Sequence, residues 1–203
     1  ETLYYKSRFD VCAWQGGMPV GVSDALGDEL YAGAVAGALG SKYYISMLAL
    51  DGTPHLFVYD ISLGLWMHED SLRARYFCAV GNELYCIDSG RRLLSMLGTQ
   101  GTKEPFTWSM ETGTMFYAQP DKKYVSRYDV RLSMPEGATL TVYMQYDSSG
   151  EWIESGSIKR KGLGSVVVPI RPRRCDHLRM RLVGTGDIKV YSITRILEVG
   201  SDV

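Results

Sequence analysis

Short apolar runs broken by Gly, Asp, Asn and Ser recur from one end of the chain to the other, and no segment keeps a 3.6-residue apolar period through three turns. KYYISMLAL (42–50), HLFVYDI (55–61), ARYFCAV (74–80), ELYCID (83–88) and RRLLSML (91–97) are rich in the β-branched and aromatic residues that suit a pleated, half-buried surface. Between them stand turn signals: Asp51-Gly52-Thr53-Pro54, Gly81-Asn82 and Ser89-Gly90. The one helix candidate is VSDALGDEL (22–30), long enough for a single turn. The chain is therefore expected to be all-β.

Two styles of strand divide it. Through residues 1–100 a pattern recurs in which a strand closes on Asp, a small-residue turn follows, and an apolar residue opens the next strand. Tyr59-Asp60 before Leu65-Trp66, and Ile87-Asp88 before Leu93-Leu94, are the clearest cases, with Asp10 to Trp14 a looser third. Repeated hairpins of this kind resemble β-propeller blades, and about one hundred residues make roughly two to three blades of four strands. That is too few to close a ring, so an open arc or a fragment of a longer chain is expected. The start at Glu1, with no Met and already strand-like, fits the fragment expectation. GTQGTK (98–103) is a polar, Gly-rich joint. Beyond it, residues 104–203 carry longer strands with strict alternation. Leu140, Val142, Met144 and Tyr146 share one face against Thr141, Tyr143 and Gln145, and Leu178, Met180 and Leu182 oppose His177, Arg179 and Arg181. Strands that bury one face each predict a jelly-roll-like β-sandwich following the incomplete propeller-like blades.

Net charge is −1, so no whole-molecule field draws in nucleic acid or anionic membrane. No apolar run reaches the length of a membrane-spanning helix. The four cysteines (Cys12, Cys78, Cys86, Cys175) form no CxxC pair and read as buried free thiols. Three histidines (His55, His68, His177) offer no pair at ligand spacing along the sequence, so no metal and no cofactor is expected. Asp51-Gly52 and Asp147 to Gly150 do not complete a calcium loop. Glu69-Asp70 are sequence neighbours, a poor arrangement for opposed glycosidase acids. Cys175-Asp176-His177 lacks a recognisable orienting group or oxyanion pocket. The chain is not expected to be an enzyme.

The C-terminal stretch PIRPRRCDHLRMRLVGTG (169–186) supplies the candidate site. Arg171, Arg173 and Arg174 precede a strand on which Arg179 and Arg181 share a face. Such a basic ridge can meet phosphates, or pair with acids such as Asp129, Asp147 or Glu154. Trp152 is a candidate for stacking on a sugar, as in carbohydrate-binding modules.

Several segments together have a familiar look: YYKS (4–7), GGMPVGVSDALG (16–27), KYYISM (42–47), LFVYDISLGLWMHED (56–70), WSMETG (108–113), QPDKKYVSRYDVR (119–131), VYMQYDSSGEW (142–152), IRPRRCDHLRMRLVGTGDIKVYSI (170–193) and the terminal GSDV. The chain resembles structural proteins of tailed phages and prophages of Gram-positive bacteria, of the packaged-DNA stabilisation, head-completion or tail type. The resemblance implies a virion component at the head–tail junction or tail, present in the host cytoplasm during assembly and acting through protein–protein contacts rather than turnover. Its expected partners are portal, adaptor or tail subunits in an oligomeric assembly, with packaged DNA as a further contact for the arginines and no membrane. The alternative is a receptor-binding carbohydrate module of a phage tail or adhesin, using Trp152.

Overall fold

The computed structural model describes residues 2–98, 106–116, 123–168, 170 and 173–198, and it forms two compact units, residues 1–103 and 104–203. The first unit holds three antiparallel sheets in chain order. Strands β1 (Leu3–Lys6), β2 (Val11–Trp14) and β3 (Val20–Gly21) make the first. Strands β4 (Tyr31–Leu39), β5 (Lys42–Ala49), β6 (Pro54–Asp60) and β7 (Leu65–Asp70) make the second, and β8 (Ala74–Val80), β9 (Glu83–Asp88) and β10 (Leu93–Ser95) the third. Every strand pairs with its neighbour in sequence, as in propeller blades. VSDALGDEL contributes only a three-residue 3-10 turn, Asp24–Leu26.

The recurring strand-closing Asp has a physical reason. Asp60 Oδ1 accepts hydrogen bonds from the Ser62 amide (3.0 Å), the Ser62 hydroxyl (2.6 Å) and the Leu63 amide (3.2 Å), which fixes the β6–β7 turn. Asp88 accepts from the Arg92 amide (2.8 Å) and from Arg92 Nε (2.8 Å) across the β9–β10 turn. The looser third case departs: Asp10 stands before β2 rather than closing a strand.

The three sheets stack face to face. One face of the second sheet buries Tyr43, Ile45, Met47 and Phe57 with Val11 of the first sheet. Its other face buries Tyr44 and Val58 with Leu84 of the third, and Phe77 packs beside them. Gly37 on β4 lies where a Cβ would overlap Cβ of Phe77, so the close approach of β4 and β8 requires glycine. Ser46, buried on β5, donates its hydroxyl to the Leu72 carbonyl (2.8 Å) and accepts from the Ala74 amide (3.0 Å).

The second unit is a two-sheet sandwich. One sheet runs β15 (Ile153–Ile158), β14 (Thr139–Tyr146), β18 (His177–Thr185), with β11 (Thr107–Glu111) and β12 (Met115–Phe116) both on the far edge of β18. In the other, β13 (Lys123–Met134) pairs with β16 (Gly162–Val168) and β17 (Arg174–Cys175), and also with β19 (Lys189–Glu198). The chain crosses between sheets after β12, β13, β15, β17 and β18, which gives the jelly-roll-like connectivity. Alternation sends Val130, Leu132, Leu140, Val142, Met144, Leu178, Met180 and Leu182 into one core, each with no exposed surface.

All four cysteines are free, and Cys12, Cys86 and Cys175 are buried. Cys78 departs from the expectation of burial: it alternates with Phe77 on β8 and so lies on the exposed outer side of the third sheet.

Candidate functional site

The outward face of β18 presents His177, Arg179 and Arg181, because the alternate positions are committed to the core. Beside it, β11 places Glu111 directly opposite Arg181. The Glu111 carboxylate is shared: Oε2 pairs with Arg179 Nη2 at 2.8 Å and Oε1 with Arg181 Nη2 at 2.6 Å. Arg179 Nε also donates to the Thr112 carbonyl (3.4 Å). Arg181 Cζ stands 4.1 Å from the centroid of the Trp152 ring and Arg179 Cζ 5.4 Å from it, a cation–π arrangement that joins the last candidate of the sequence to the arginines. Two guanidiniums, one carboxylate and one indole thus make a single cluster with one positive charge in excess.

Two of the three acids expected to pair with this ridge are engaged elsewhere, and Glu154, exposed on β15, makes none of the ion pairs with Arg179 or Arg181. Asp129 pairs with Arg127 (2.9 Å), and Asp147 Oδ1 accepts from the amides of Asp176 (2.7 Å) and His177 (3.4 Å). Glu111, about seventy positions away along the chain, takes their place.

The five arginines do not form one row. Arg174 is exposed on β17, in the sheet opposite to that of Arg179 and Arg181. Arg173 lies with Cζ 5.6 Å from the Tyr146 ring centroid, and Arg171 lies outside the described residues. The separation has a cause at Asp176, where the chain bends from one sheet to the other and Asp147 holds the bend. The same bend parts the Cys-Asp-His triplet. Cys175 is 1% exposed in the core, whereas His177 is half-buried, with Nε2 2.7 Å from Ser148 Oγ and its ring against Phe116.

The first unit carries a surface of different character. On the third sheet Tyr76, Ile87 and Leu93 stand in cross-strand register, 66%, 38% and 69% exposed. Cys78 and Val80 continue the same face. The opposite face of these strands is buried through Leu84 and Cys86, so the apolar row is exposed, while on the same face Glu83, opposite Val80, is buried and accepts from the Ser95 hydroxyl (2.7 Å).

A cleft of about 180 Å³ in the same unit is lined by Lys6, Asp10, Asp24, Asp28, Glu29 and Tyr31, among others. The Tyr31 hydroxyl donates to Glu29 (2.9 Å), and burial followed by that bond pushes its pKa up to about 12, so it stays protonated as part of the wall. No group of three or more His, Cys, Asp or Glu among the described residues is arranged to hold a metal ion, and no helix is long and apolar enough to cross a membrane. One pairing was invisible along the sequence: His55 and His68 are thirteen positions apart, yet their ring nitrogens stand 3.2 Å apart across β6 and β7.

No family model and no curated protein matches the chain. Among solved structures it is similar to a glycoside hydrolase family 43 arabinoxylan arabinofuranohydrolase from Bacillus subtilis, at 6% identity and a TM-score of 0.31 over 92% of this chain and 57% of that one. An exo-beta-1,3-galactanase from Phanerochaete chrysosporium aligns at 8% identity and a TM-score of 0.31 over 94% of this chain and 65% of that one. The chain thus spans less than two thirds of either protein. Likeness at this level carries nothing about chemistry.

Proposed function

We propose that the chain is a non-enzymatic structural protein of a tailed-phage virion, at the head–tail junction or in the tail, working through contacts with portal, adaptor or tail subunits. The resemblance in its sequence names the setting. The observation that carries the contact reading is the exposed row Tyr76, Ile87 and Leu93 on the third sheet. Apolar surface contributes roughly 25 cal/mol per Å² when it leaves water, so covering this row with a partner subunit would be favourable. The Arg179–Arg181–Trp152 cluster is a second contact of the composition that dominates interface hot spots. Its single excess charge also gives it weak affinity for packaged DNA.

A sugar-binding module at Trp152 is the weaker reading, because one face of the indole is already taken by the Arg181 guanidinium, 4.1 Å from the ring centroid. The test is co-sedimentation of the chain with the portal, adaptor and tail proteins of its own phage. Wild type is expected to co-sediment with one of them, and Tyr76→Glu/Leu93→Lys to lose at least tenfold in affinity. A chain that binds none of them, and that instead binds a glycan in a Trp152-dependent way, overturns the proposal.

A further inference from the structure

We propose that His55 and His68 form an open two-imidazole site for a late first-row divalent metal ion such as Ni²⁺, Cu²⁺ or Zn²⁺. The inference is independent of the virion reading. His55 on β6 and His68 on β7 project from the same face as Phe57, because His68 is the cross-strand partner of Phe57 and His55 lies two residues before it. A register shift between Leu56 and Phe57 brings His68 toward His55, and Nδ1 of His55 stands 3.2 Å from Nε2 of His68. Two imidazole nitrogens bound to one ion at about 2.0–2.1 Å each stand roughly 2.9–3.4 Å apart for octahedral to tetrahedral angles. The observed separation falls inside that span.

The rings are also held. His55 stacks on Phe57 (centroids 5.8 Å, planes 12° apart) and meets Tyr31 edge-on at 5.7 Å. His68 leans on the same Phe57 at 5.1 Å, and Phe57 is 5% exposed, a fixed floor under both imidazoles. Tyr31 is anchored in turn by its hydrogen bond to Glu29. His68 is exposed and His55 half-buried, so an ion reaches the pair from solvent.

Without metal, the N–H of one ring donates a hydrogen bond to the facing nitrogen of the other. On binding, that proton moves through solvent to the second nitrogen of its own ring, and both facing lone pairs go to the ion. Neutral imidazole selects late first-row divalent ions over Mg²⁺ or Ca²⁺, and the remaining coordination positions go to water or to a partner's carboxylate.

Isothermal titration of the tag-free chain with Ni²⁺ alone at neutral pH tests the site. One equivalent is expected to bind wild type, with affinity reduced at least tenfold in His55→Gln and in His68→Gln and unchanged in His177→Gln. Because His55 packs on Phe57, a direct measurement on the wild type accompanies the variants. Substoichiometric Ni²⁺ should broaden the ring signals of His55 and His68 ahead of those of His177. Wild-type affinity retained in both Gln variants, broadening centred on His177, or no binding below millimolar Ni²⁺ would each overturn the site.

Discussion

The outward faces of β18 and of the third sheet of the first unit come from the same strand physics and carry opposite chemistry. On β18 the residues that alternate with the core are His177, Arg179 and Arg181, and these find partners on adjacent elements. On β8, β9 and β10 the residues that alternate with Phe77, Cys86 and Leu94 are Tyr76, Ile87 and Leu93, which remain in water. A sandwich closes two inner faces on each other and needs polar exteriors. A stack of sheets always has two end faces, and an apolar end face is the surface on which a further layer would be stabilised. The contrast therefore makes the exposed row of the third sheet the surface on which the proposed contact would act, while the β18 face is already partnered within its own unit.

The sharpest way to break the comparison is to truncate a leucine in each place. Leu182→Ala removes a side chain with no exposed surface from the sandwich core and is expected to cost about 2–5 kcal/mol. Leu93→Ala, at 69% exposure, is expected to change stability by about 0.5 kcal/mol or less while weakening association. Denaturant unfolding of both variants, with sedimentation of the second, checks the pair. Equal destabilisation would mean that the third sheet is covered in the chain alone. The next largest effect is expected inside the stack. Gly37→Ala brings a Cβ against Cβ of Phe77, close to the backbone where little can yield, and about 1–3 kcal/mol of overpacking cost is expected by the same unfolding measurement.

Much of this contrast was legible in the sequence, and what was not has a common cause. The alternations Leu140-Val142-Met144 and Leu178-Met180-Leu182 place their own core positions, because period two is a local property of a strand. The repeated strand-closing Asp was readable as a pattern, and Asp60 and Asp88 prove to be turn anchors acting within four residues. Glu111 as the partner of Arg179 and Arg181 was not readable, since β11 reaches β18 only through the register of the sheet. The same holds for His55 and His68, whose approach depends on a register shift, and for Arg174, which a one-residue bend sends to the other sheet. Local periodicity writes itself into sequence, whereas cross-strand neighbours are set by register and bulges.

A smaller effect concerns the turn anchors. Hydrogen bonds from Ser62, its hydroxyl first, hold Asp60 below the ordinary carboxylate range, and the Arg92 amide leads in doing so for Asp88. A carboxylate with a depressed folded pKa contributes stability that is fully present above the unfolded value of about 3.9 and is lost as pH falls through the folded value. Stability of the first unit should thus decline below about pH 4, and Asp88→Asn should flatten that decline. Denaturant midpoints at pH 7 and pH 3 read the difference, and an Asp88→Asn profile parallel to wild type would count against the anchor.

The smallest effect on stability, and the one that separates the two roles of the β18 face, is expected from Glu111→Gln. Each ion pair of Glu111 is about one third exposed, so removing the carboxylate should cost about 1 kcal/mol or less. The charge of the cluster, however, rises from one excess positive to two, with Arg181 still over Trp152. If the arginines meet phosphate, DNA binding in Glu111→Gln should strengthen and its salt dependence steepen, with a log–log slope larger by about 0.9 for one additional phosphate contact. If they meet an acidic protein neighbour, co-sedimentation should change while DNA binding stays at the level of the Arg179→Ala/Arg181→Ala variant. Fluorescence anisotropy with a short duplex at two salt concentrations decides between them, because only a phosphate contact moves with the counterions it releases.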